Sequence, residues 1–109
     1  MTTVTVFTRD GAIESVESKG HAGYARSGKD VVCAAVSVAV QSGLAGLCEV
    51  AKVEVKTKEG EGYLRYEIGG QDAKRVDVKA ILETVRVTVR SIAKQYPRYV
   101  KLEEVDNAY

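Results

Sequence analysis

The sequence predicts an α+β domain: a mainly antiparallel β-sheet with two α-helices packed on one face, in the order β-β-α-β-β-α-β. Three features carry that expectation. Two stretches of alternating, often β-branched residues are each broken by a short Gly-containing turn, which reads as a hairpin. Each hairpin is followed by an apolar run at helical spacing. A further short segment after Pro97 closes the chain as a last strand.

Residues 2–8, Thr-Thr-Val-Thr-Val-Phe-Thr, form the first strand, and Asp10-Gly11 is a strong two-residue turn signal. Residues 12–19, with Ile13 and Val16, return. Gly20 then breaks the pairing, which leaves His21 at a strand end. Asp30 is a good N-cap, so a helix is expected from Val31 to about Glu49. Its buried face is Val32, Val36, Ala39, Val40, Gly43 and Leu47, with Cys33, Ser37, Gln41 and Leu44 as the adjacent stripe. Glycine is costly inside a helix, which leaves the boundary near Gly43 and Gly46 open. Residues 51–58 alternate as a strand, 60–62 turn, and 63–68 return. Asp72 is expected to cap the second helix, whose apolar positions are Val78, Ile81, Leu82, Val85, Val89, Ile92 and Tyr96. Pro97 stops it, and 98–105 is the last strand. No repeat or linker interrupts the chain, so residues 1–109 are read as a single domain.

Composition narrows the function classes. Sixteen Lys and Arg oppose 15 Asp and Glu, a formal net charge of +1. No one-signed field points to nucleic acid or an anionic membrane as main partner. The first residues lack the basic and apolar regions of a signal peptide, and no apolar run is expected to cross a bilayer. Two cysteines and one histidine are poor material for a closed zinc site. If Cys33 and Cys48 share one helix, about 22 Å separates them, too far for a disulfide.

The chemistry-bearing residues lie together between positions 20 and 37, which hold the only histidine and one of the two cysteines. A thiol in the first turn of a helix meets unpaired N–H groups and the positive end of the dipole, and both favour thiolate. An imidazole nearby could take the thiol proton. Taken singly, His21 reads as a loop residue and Cys33 as a small buried hydrophobe. Their conjunction across a Gly- and Ser-rich loop points to a nucleophile and its base. Asp30 caps the helix and could also orient the imidazole. Ser37 either bonds the helix backbone or lines the cleft beside the thiol. The N–H groups near Val32 and Cys33 are natural oxyanion donors. Cys48 is expected to pack at the helix end without chemistry. Gly20-His21-Ala22-Gly23 spells the G-x-x-G of a KH loop, but it follows a strand and lacks basic residues. The loop ending Lys29-Asp30 departs from a phosphate loop, since an acid at the cap repels phosphate.

Gly20-His21-Ala22-Gly23-Tyr24, followed by Gly28-Lys29-Asp30-Val31-Val32-Cys33-Ala34-Ala35-Val36-Ser37, resembles the signature of the ribosomal-processing cysteine protease family Prp. Gln95-Tyr96-Pro97-Arg98-Tyr99-Val100 resembles the family's end of the second helix, and the likeness covers essentially the full length. The resemblance implies a bacterial cytoplasmic homodimer that removes an N-terminal extension from a large-subunit ribosomal protein. It implies a catalytic dyad at His21 and Cys33, with Asp30 and Ser37 in the same motif. It also implies a loop that moves over bound peptide, hinged at Gly20 and including Ala22, Gly23, Tyr24 and Gly28. Tyr24 is expected to contact substrate. No cofactor, metal, direct nucleic-acid contact or membrane is called for. Two other readings stand beside it: a non-enzymatic ribosome-associated peptide-binding module, and a thiol redox sensor.

Overall fold

The structure, a computed structural model, describes residues 1–20 and 30–107. Strands β1 (Thr2–Arg9) and β2 (Ala12–Lys19) form the first hairpin. Asp10 and Gly11 have φ of 53° and 80°. Positive values at both positions are what a type I′ turn requires. The register shifts between Phe7 and Thr8, where Ser15 and Ile13 are the partners. That bulge explains how Ile13 and Val16, an odd number of residues apart, are both buried.

Helix α1 (Val31–Ala45) continues as a five-residue π-helical segment, Gly46–Val50. All six residues expected on its inner face are buried. The segment closes through Ala51 N–H to Gly46 O and Val53 N–H to Leu47 O, with Lys52 at φ 57°. Residues 51–53 are therefore spent on the helix end, and β3 (Val55–Gly60) starts later than the alternation suggested. Strand β4 (Tyr63–Ile68) pairs antiparallel with both β3 and β2.

Two further expectations are corrected at the next junction. A short helix α2 (Gly70–Ala73) precedes the long helix α3 (Val76–Gln95), so there are three α-helices rather than two. Asp72 lies inside α2; Arg75 occupies the N-cap position of α3, and its side chain forms an ion pair with Asp77 instead of capping.

The sheet order is β3-β4-β2-β1-β5, where β5 is Val100–Asp106. Strand β5 pairs parallel with β1, so the sheet is mixed rather than mainly antiparallel. The cause is topological. Helix α3 carries the chain from β4 back across the sheet, and a strand reached through a helical crossover runs parallel to the one before it. Because β4 and β1 point the same way, β5 joins β1 in parallel at the far edge. Val4, Val6 and Val16 share one sheet face with Tyr66, and they join the buried side chains of α1 and α3 in one core. Val31–Val50 is also long and apolar enough, by length and composition, to cross a bilayer, contrary to expectation; a third of it is buried in the domain.

Candidate active site

The site grows from the start of α1. Asp30 has extended backbone angles, and its Oδ1 accepts from the Cys33 N–H at 2.8 Å. Its carbonyl accepts the first intrahelical bond from Ala34 N–H at 3.1 Å. The cap fixes Cys33 as the third residue of the helix, half-buried on the rim of a cleft. It also uses the Cys33 N–H, one of the two expected oxyanion donors. The first-turn donors that the cap leaves are those of Val31 and Val32.

The cleft holds about 580 Å³. One wall is α1 and its π-helical continuation, from Cys33 past Ser37 and Gln41 to Cys48. The floor is the end of the sheet: Thr2, Ser18 and Leu64. Register places Val4 opposite Ser18 and Ser18 opposite Leu64, so these side chains share the helix-facing side. Glu59, Gly60 and Gly62 of the β3–β4 hairpin form the far side. Tyr63 beside them donates its hydroxyl to Glu17 at 2.8 Å, and that bond raises the phenol pKa above its ordinary value.

Ser37 lies one turn beyond Cys33 and lines the cleft; its Oγ accepts from Gln41 Nε2 at 2.8 Å. Gly20 closes β2 with φ 90°, donating its N–H to Gly62 O at 2.8 Å. A Cβ there would sit 2.5 Å from the Met1 carbonyl oxygen, so both conformation and space require glycine. Cys33, Ser37 and Gly20 thus meet in one cleft, with the Asp30 carboxylate on the Cys33 amide. His21, Ala22, Gly23, Tyr24 and Gly28 lie outside the described residues. Cys48, expected only to pack, is exposed and lines the far end of the same cleft. The floor residues were missed by sequence reasoning. Their signal was the alternation that sets Thr2 in step with Val4 and Val6, and Ser18 in step with Val16. Among the described residues no group of three or more His, Cys, Asp or Glu side chains is placed to hold a metal ion.

Residues 1–101 match the sequence profile of the cysteine protease Prp family. The chain belongs to that family. It is accordingly a cysteine protease. No curated protein sequence matches it significantly. Among solved structures, the essential ribosomal processing protease Prp from S. aureus, in complex with a covalently linked product peptide, has a TM-score of 0.88 at 21% identity, covering 95% of this chain and 99% of that one. The same protease with a substrate peptide gives 0.81 at 20%, with the same coverage. SMU.848 from Streptococcus mutans gives 0.81 at 28%, covering 98% of this chain and 96% of that one. The likeness to the S. aureus structures is one of fold. In this Prp-family chain the start of α1 carries the Cys33 thiol and its Asp30 cap, and the end of the sheet floors the cleft beside them.

Proposed function

We propose that this Prp-family protease is an endopeptidase that removes the N-terminal extension of a large-subunit ribosomal protein, with Cys33 as nucleophile and His21 as its base. The observation that carries the reading is the cleft, with Cys33 at one end and Cys48 at the other. Their separation along the helix, about 22 Å, accepts roughly six residues of extended chain. Similar proteins whose structures hold a product peptide and a substrate peptide support a peptide as occupant.

In the proposed reaction His21 takes the Cys33 proton, and Sγ attacks the scissile carbonyl carbon. The carbonyl oxygen becomes an oxyanion facing the Val31 and Val32 N–H groups. The C–N bond breaks as His21 returns the proton to the leaving amine, giving a thioester. Water, deprotonated by His21, hydrolyses that thioester and restores the thiol. Asp30 and Ser37 support the site, and the loop residues Gly20, Ala22, Gly23, Tyr24 and Gly28 cover the peptide. No cofactor takes part. The enzyme acts in the cytoplasm as a homodimer, which the exposed apolar face of α1 supports, since Val31 and Val38 are 64% and 70% exposed.

The test is cleavage of the extended ribosomal protein by wild type, Cys33→Ala and His21→Ala. Wild type cuts, and both variants lose at least a hundredfold in rate. Full activity in either variant removes the dyad; stoichiometric binding without turnover by wild type favours a binding module.

A further inference from the structure

The alternation of β1 puts Thr2 on the same face as Val4 and Val6, at the edge of a core built largely of valine. Its backbone is fixed, with the N–H donating to Tyr99 O at 2.8 Å. Thr2 is 2% exposed, and its Oγ1 has no hydrogen-bond partner among the described residues. A buried hydroxyl without a partner costs stability, and valine fills the same volume with no polar atom to leave unpaired. Thr2 nevertheless forms part of the floor of the Cys33 cleft.

A second hydroxyl shares that floor. Ser18 lies directly across from Val4, and therefore diagonal to Thr2 across the β1–β2 pair. Diagonal neighbours on one sheet face stand about 7 Å apart. An extended peptide repeats the same main-chain group every second residue, about 6.6 Å. Rotation about χ1 exchanges the Thr2 oxygen and methyl among staggered positions on Cβ.

We propose that Thr2 is a substrate-positioning residue of this cleft. Its hydroxyl, without a partner among the described residues, bonds a main-chain group of an extended peptide, while Ser18 bonds the equivalent group two residues along. The inference rests on the assignment of Cys33 as nucleophile. It gives the cleft a way to read backbone, independent of side-chain sequence.

The experiment compares alkylation of Cys33 in the full chain by iodoacetamide and by a short peptidyl chloromethyl ketone, with the labelled cysteine identified by mass spectrometry. The ratio of the two rate constants reports how well the cleft holds a main chain. Thr2→Val lowers that ratio about tenfold, the loss of one net hydrogen bond, and unfolds at the same or a higher temperature. Thr2→Ser keeps the ratio within about threefold. Ser15 carries the other buried hydroxyl without a partner among the described residues, and it lies on the opposite sheet face. Ser15→Ala leaves the ratio unchanged. An unchanged ratio in Thr2→Val overturns the proposal, as does a lower unfolding temperature, which would make the hydroxyl structural. A Cys33 that reacts with iodoacetamide no faster than Cys48 overturns the nucleophile assignment, before any variant is compared.

Discussion

Each oxygen of a carboxylate at a helix start can serve the backbone or a neighbouring side chain, and the Asp30 Oδ1 serves the backbone. By accepting from the Cys33 N–H at 2.8 Å it holds the backbone amide of the cleft cysteine, so cap and thiol position are one feature. Asp30→Ala is expected to lower stability by about 1 kcal/mol, whereas Asp30→Asn, which can still cap, stays within a few tenths of wild type. Urea unfolding of the three proteins checks this. Equal losses in Ala and Asn would show that the carboxylate's charge, not its capping oxygen, is what matters. This part of the site was legible in the sequence, because an N-cap and the residue three later are linked by local geometry alone. The cleft floor was not. Whether Thr2 faces a cleft or a core depends on which face of the sheet the helices cover and where they stop, and that is a tertiary fact.

Glycine in α1 marks the limit of local reasoning at the level of elements. Because glycine weakens a helix, Gly43 and Gly46 left its boundary open. Gly43 lies within the helix, on the expected buried face, where a Cβ would sit 2.5 Å from Tyr66 Oη and 2.6 Å from Val85 Cγ2. The space it leaves lets the buried Tyr66 reach across and donate to the Val40 carbonyl at 2.8 Å. Burial holds that phenol protonated well above the ordinary tyrosine pKa. Gly46 likewise brings the helix end to Ile81 of α3, 3.0 Å from where its Cβ would be. Gly43→Ala gains about 1 kcal/mol of helix propensity and loses about 1–3 kcal/mol to overpacking, so a net loss is expected. Tyr66→Phe removes one of the two clashing groups. The double variant should therefore lose less than the sum of the singles, as read from chemical denaturation of all four proteins. Strict additivity would mean that the two positions do not share the strain.

For the molecule as a whole, the hairpins and the two long helices were legible because their periods are local, while the four-residue α2 is too short to show one. The parallel pairing of β5 with β1 was not, since it is set by a crossover spanning the sheet. Another global property follows from α1. A helix that is apolar all round is normally buried all round, and no charged side chain occurs from Val31 through Cys48. Yet only one side packs into the core, and Val31, Ala34, Ala35 and Val38 are exposed. Contiguous exposed apolar surface of this kind marks a contact site. A second copy suits it, because an uncharged face meets itself without repulsion and small side chains let two helices approach closely. Wild type is then expected to sediment as a dimer at micromolar concentration. Val38→Glu would place like charges at the centre of that contact and shift the protein to monomer, with its circular dichroism spectrum unchanged. A wild type that is already monomeric would overturn the dimer, and a Val38→Glu variant that remains dimeric would move the interface elsewhere. Because Cys33 and Ser37 lie on the stripe next to this face, the monomeric variant also tests whether the cleft needs its neighbour: a fall in cleavage with intact fold would mean that the second copy completes the wall.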